Sequence, residues 1–237
     1  MSFGVNLDSS MDSMEETRFK KKHSDLIQKL VKKLHFTYTE LECIFIIYYK
    51  LQKDNADKNA TGITKNQLRD VLHSGLDMTD DALMDRIFSV FERGPSTTVS
   101  METWATALSL WLRGTLEEKI DYCFSVSTQC FGVVAHTHQV YDLLGDGLIG
   151  RETMFFFLRS SLISQSSEDD AEESVKDMIE VITKKMDVDR DGKISFNDYK
   201  TTVLQQPMML EALGQCLPSR EAVHTFITTF TPRIGKM

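Results

Sequence analysis

The run Asp187-Val-Asp-Arg-Asp-Gly-Lys-Ile-Ser-Phe-Asn-Asp198 constrains this chain more than any other stretch. Carboxylates stand at its first, third and fifth positions, and Asp198 closes it at the twelfth. Alternate positions of a curled loop face inward, so these oxygens converge where a hard divalent cation could sit. Gly192 at the sixth position permits the sharp turn. Lys193 offers a backbone carbonyl at the seventh, and Ser195 can act through a water at the ninth. Ile194, at the eighth, is placed to pair with a partner loop. Apolar residues at helical spacing precede the run (Val175, Met178, Ile179, Ile182, Met186), and Phe196 and Tyr199 follow it.

This is the pattern of an EF-hand calcium loop, with Asp187, Asp189, Asp191, Lys193 and Asp198 as the expected metal ligands of one site. Asp198 stands where the pattern asks for glutamate. Its carboxylate is one methylene short, which makes bidentate ligation hard and favours a contracted, six-coordinate site. The expectation is therefore weak Ca²⁺ binding, or a site shared between Ca²⁺ and Mg²⁺.

Two further loops carry the skeleton with fewer ligands. In Asp142–Thr153, Asp142, Asp146, Gly147 and Ile149 fit, but Leu144 and Thr153 remove two carboxylates. In Glu92–Thr103, Val99 fits the eighth position while Gly94, Ser96, Thr97 and Thr103 leave no carboxylate cage. The stretch Asp54–Thr64 fits no loop register. Only the last of four hands is expected to be intact.

The rest of the chain reads as helices. Leu26, Ile27, Leu30, Val31 and Leu34 recur at three- and four-residue spacing in a basic segment, Thr17–Phe36. Leu41, Ile44, Phe45, Ile47 and Tyr48 follow a cap at Thr37 or Thr39. Further helical segments are expected at Asn66–His73, Asp81–Phe91, Met101–Leu112, Thr115–Val126, Arg151–Leu162, Glu173–Met186 and Phe196–Val203, with a weaker one at Arg220–Phe230. The expected fold is all-α: two EF-hand lobes of four helix–loop–helix hands, joined by short two-stranded loop ribbons. Residues 1–17 read as a disordered leader, 18–112 as an N-terminal lobe, 113–213 as a C-terminal lobe and 214–237 as a tail.

Composition narrows function mainly by exclusion. The net charge of −8, from 35 acidic and 27 basic residues, argues against a nucleic-acid binder, whose affinity comes from neutralising phosphates. Cys43, Cys123, Cys130 and Cys216 form no CxxC pair and read as reduced cytosolic thiols. No apolar run has the length of a membrane span, no signal-peptide core is visible, and Ser2 precludes N-myristoylation. A soluble, cytoplasmic protein without membrane or small-molecule substrate is expected. The histidines have no triad, phosphate-loop or HExxH context, so no catalytic residue is assigned. Cys130, His136 and His138 lack a fourth ligand for zinc. Met154, Met178, Met186, Met208 and Met209 fit a target groove or ordinary core filling. Lys20–Lys33 fits a contact with acidic tails or a solvated helix face.

Several runs are similar to the calaxin family, ciliary relatives of the neuronal calcium sensors. They are Gly75–Phe88, Leu108-Ser-Leu-Trp-Leu-Arg-Gly-Thr-Leu-Glu-Glu-Lys-Ile-Asp-Tyr-Cys-Phe124, Lys184–Tyr199 and Leu210-Glu-Ala-Leu-Gly-Gln-Cys-Leu-Pro218. The resemblance spans about Leu26 to Leu217. It implies a protein of the motile axoneme, in a cilium or flagellum, associated with outer-arm dynein, its docking complex or the tubulin of doublet microtubules. The chain departs from the family in its damaged second and third loops, in an apparent insertion at Ser127–Val140, and beyond Arg220. It looks like a diverged paralogue or variant isoform. Two functional classes stay open: a largely calcium-independent axonemal adaptor, and a calcium-responsive regulator of dynein or, like calcineurin B, of an enzyme. A plain cytosolic buffer would have kept its ligands.

Overall fold

Capping and apolar spacing set most of the element boundaries. The computed structural model describes residues 7, 9–55, 62–91, 98–128, 147–162 and 168–230. Among these the order is α1 (Ser13–Val31), α2 (Tyr38–Lys53), β1 (Ile63–Thr64), α3 (Lys65–Leu76), α4 (Asp81–Phe91), β2 (Thr98–Val99), α5 (Met101–Arg113), α6 (Leu116–Thr128), α7 (Arg151–Leu162), α8 (Glu168–Met186), α9 (Phe196–Gln205) and α10 (Arg220–Ile227). A 3₁₀ turn at Pro207–Glu211 lies between α9 and α10. The fold is all-α, built of EF-hand helix–loop–helix units with minimal strand pairing. No helix among the described residues is long and apolar enough to cross a membrane.

Helix α1 starts at Ser13, ahead of the expected Thr17, because Asp12 caps it. Its Oδ2 accepts from the N–H groups of Met14 at 3.1 Å and Glu15 at 3.3 Å. Glu15 and Glu16 then sit in the first turn, where the helix dipole favours negative charge. Glu15 also accepts from the Tyr49 hydroxyl at 3.0 Å and from Lys53 at 3.1 Å. Part of the expected leader is therefore ordered helix. The same helix ends at Val31, short of the expected Phe36. The insertion at Ser127–Val140, with Cys130, His136 and His138, falls outside the described residues from 129 onward.

The chain divides into two compact units. The expected lobes are contiguous in sequence, but these units are not. The first comprises residues 1–79, 91–115 and 218–237; the second comprises 80–90 and 116–217. Thus α10 belongs with the N-terminal helices, and α4 with the C-terminal ones.

In the first unit α2 is the centre. Leu41, Ile44, Phe45, Ile47 and Tyr48 are all buried there, and Trp104 of α5 donates its indole N–H to the Ile44 carbonyl at 3.3 Å. Strands β1 and β2 pair antiparallel, Ile63 opposite Val99 and Thr64 opposite Thr98. Gly62 is needed beside them: a Cβ there would run into the Val99 carbonyl oxygen, which also accepts from the Tyr48 hydroxyl at 2.7 Å. Arg113, from the family-like run, makes a two-pronged ion pair with Glu40 at 2.5 and 3.0 Å and donates to the His35 carbonyl at 3.0 Å. Helix α10 and the turn after it complete the unit through Phe226 and Phe230, both buried, with Phe230 edge-on to Phe36.

In the second unit, Ile149 and Ile194 exchange backbone hydrogen bonds at 2.9 and 3.0 Å as an isolated antiparallel bridge. Arg86 of α4 lies 4.1 Å above the Phe157 ring and reaches the Val126 and Ser127 carbonyls. Phe124 of α6 packs against Phe196 and Tyr199 of α9. Met154, Met186 and Met209 are buried, whereas Met178 is 39% and Met208 82% exposed, so most of the methionine set is core.

Candidate metal centre

The last hand runs from α8 through Asp187–Asp198 into α9. Asp187, Asp189 and Asp191 each offer an oxygen, and these oxygens lie within 4.8 Å of one another, the one such group among the described residues. Backbone donors hold the arrangement. The Asp191 N–H contacts Oδ1 of Asp187 and of Asp189, both at 3.2 Å; the Gly192 N–H reaches Asp187 Oδ2 at 2.9 Å; the Lys193 N–H reaches Asp191 Oδ1 at 2.7 Å. Arg190 (φ +63°) and Gly192 (φ +86°) take left-handed backbone to make the turn. A Cβ at Gly192 would meet nothing within 4 Å, so its role is conformational freedom rather than space.

The electrostatics suit a cation. The Asp191 N–H favours the charged form of Asp189, but desolvation and repulsion from Asp191, Asp198 and Asp187 outweigh it and hold the Asp189 carboxyl above its ordinary value. All the donors are oxygen, the chemistry that Ca²⁺ and Mg²⁺ require. The residues present therefore fit such an ion.

Asp198 is placed differently. Its Oδ2 accepts from the Ser195 N–H at 3.0 Å and the Ser195 hydroxyl at 2.6 Å, while its own N–H donates to Ser195 Oγ. This is a capping box that starts α9. Ser195, which the sequence suggests as a ligand through water, thus also anchors the twelfth residue. Lys193 enters through its N–H as well as through its place in the loop.

The paired strands supply what the sequence lacked for the first hand. With Ile63 opposite Val99 at the eighth position, counting places Ala56 first and Gln67 twelfth, so Asp54–Thr64 does have a register. Local ligand chemistry could not reveal it, because the register is set across two hands. Gln67 occupies the twelfth position with an amide. Its Oε1 accepts from the Thr64 N–H at 2.9 Å, and its Nε2 donates to the Leu51 carbonyl at 2.6 Å. In the second hand, Ser100 caps Thr103 at the matching positions with a 3.1 Å bond. The loop residues 56–61, 92–97 and 142–146, including Asp142, Leu144 and Asp146, lie outside the described residues. Of the third hand, Gly147 has φ +67°, matching Gly192.

No family model matches the chain. Calaxin of Xenopus laevis is 40% identical over 206 residues, covering 86% of this chain and 91% of that protein. Calaxin of Homo sapiens is 39% identical over 209 residues, covering 87% and 92%. A recoverin family protein of Dictyostelium discoideum is 23% identical over 212 residues, covering 81% and 86%. At this identity and coverage the chain belongs to the calaxin family, EF-hand proteins and not enzymes.

Proposed function

We propose that the protein is a calcium-binding adaptor of the motile axoneme, mainly structural, with one cation site at Asp187, Asp189 and Asp191 in the last hand. The observation that carries this reading is the contrast in carboxylates. One hand gathers three around a preformed turn, while the first hand closes its twelfth position with the neutral Gln67 amide. A bound divalent cation would neutralise the Asp cluster and tighten the loop between α8 and α9. Lys193 would contribute its carbonyl, and Asp198 a carboxylate that is short for bidentate contact. Mg²⁺ competes well at such a site. Family membership supports outer-arm dynein, its docking complex or doublet tubulin as partners, and a cilium or flagellum as the location.

The test is calorimetric titration of Ca²⁺ with about 1 mM Mg²⁺ present, alongside Asp187→Ala. One weak site absent from the mutant is expected. Micromolar affinity would favour a calcium-responsive regulator, and binding that survives Asp187→Ala would remove the site from this loop. Tagged protein that stays diffuse in ciliated cells would remove the axonemal reading.

A further inference from the structure

The second unit holds two buried thiols in contact. Cys123, on α6, is 1% exposed; Cys216, beyond the 3₁₀ turn, is 4% exposed. The Cys216 S–H donates to Cys123 Sγ at 3.0 Å although 93 residues separate them in sequence. A disulfide places its sulfurs about 2.05 Å apart, so closing this pair needs a shift of about one ångström. The surroundings keep the two segments together. The buried Tyr199 of α9 packs on Phe124, next to Cys123, and donates its hydroxyl to the Leu210 carbonyl. The Leu217 N–H, next to Cys216, donates to Glu211 Oε1 at 2.8 Å. The metal loop uses neither thiol, and Cys43 lies elsewhere, in the first unit.

We infer that Cys123 and Cys216 form a reversible disulfide when the protein meets a two-electron oxidant of the peroxide class. The Cys123 sulfur attacks a peroxide oxygen, giving up its thiol proton. The O–O bond breaks, Cys123 becomes a sulfenic acid, and the departing hydroxide takes a proton to leave as water. The Cys216 sulfur then displaces the sulfenic hydroxyl, forming the S–S bond, and its own proton leaves with that hydroxyl as a second water. Two thiols lose two electrons to one peroxide, and a dithiol reductant reverses the change. The bond to Cys123 and burial hold the Cys216 thiol well above its ordinary value, so the first attack falls to Cys123 and Cys216 gives up its proton only as the S–S bond forms. Burial makes the reaction slow, because the oxidant enters only when the segment opens. Once formed, the bond ties residues 210–217 to α6 and limits movement of α9, the exiting helix of the last hand.

The experiment uses the full chain carrying Cys43→Ser and Cys130→Ser, treated with hydrogen peroxide under native conditions, alkylated and mapped by mass spectrometry. The expected product has lost two hydrogens, and a reductant-sensitive peptide links Cys123 to Cys216. Amide exchange across 210–217 should slow and recover with dithiothreitol. Sulfinic acid at either cysteine, free thiols where a urea-unfolded control has oxidised, or a bond that forms only in urea would each overturn the inference. The unsubstituted chain gives the same map should the double variant fold poorly.

Discussion

The first and last hands share one capping frame and differ in the group that closes its twelfth position. In each, a hydroxyl residue at the ninth position and an acceptor at the twelfth form a capping box: Thr64 with Gln67, and Ser195 with Asp198. The first hand ends in an amide whose nitrogen satisfies the Leu51 carbonyl, a bond no carboxylate can make. The last ends in a carboxylate, and desolvation together with repulsion from Asp191, Asp198 and Asp187 pushes the Asp189 carboxyl up. The cap is therefore the structural part of a hand, and cation affinity is an addition to it. A hand can lose its ligands and keep its shape when a neutral hydrogen-bond donor takes over at the twelfth position.

That comparison can be broken most forcefully at Phe226. Phe226→Ala removes a ring that is 1% exposed in the first unit and should cost about 3–5 kcal/mol. The urea midpoint of that unit should fall equally in EDTA and in Ca²⁺. Recovery with Ca²⁺ would mean that the first unit also answers to the ion.

Gln67→Ala should cost about 1–3 kcal/mol, since the Leu51 carbonyl and the Thr64 N–H lose their partner. Gln67→Glu restores an acceptor but not the donor, so it should destabilise and yield no new calcium heat. Heat from that variant would show that the neutral amide alone had silenced the hand.

Arg113→Met should cost a similar amount, about 1–3 kcal/mol at neutral pH, by leaving Glu40 without its cation. Burial raises the Glu40 carboxyl, but Arg113 and the Thr37 bonds together hold it below the ordinary glutamate value. A depressed carboxyl stabilises the fold above its unfolded pKa of about 4.3 and loses that contribution as pH falls through the folded value. Unfolding midpoints measured across the acid range should show this extra loss in the parent and not in Arg113→Met.

The smallest effect is the most diagnostic. Thr64→Ala and Ser195→Ala each delete a cap hydroxyl and should cost about 1 kcal/mol. Ca²⁺ should recover stability for Ser195→Ala and leave Thr64→Ala unchanged in thermal melts.

Much of this was legible in the chain because it is local. Apolar spacing and caps located Asp81–Phe91 and Arg151–Leu162 at their ends, and alternate aspartates marked the last loop. What was missed depends on contacts between distant segments. The first-hand register comes from Ile63 meeting Val99, and no ligand in its own loop announces it. The early start of α1 rests on Asp12 in a polar stretch without apolar period. Cys123 and Cys216 look isolated until α6 and the segment after the 3₁₀ turn are brought together. The turning of Asp198 toward Ser195 is a choice between two uses of one carboxylate, which spacing alone leaves undecided.

The division of the chain also bears on its biosynthesis. Residues 218–230 supply Phe226 and Phe230 to a unit otherwise made of residues before 116, with most of the second unit encoded between. A ribosome releases the whole second unit before it releases α10. Domains usually fold in the order they emerge, but here the half that starts first holds an incomplete core until residues 218–230 arrive.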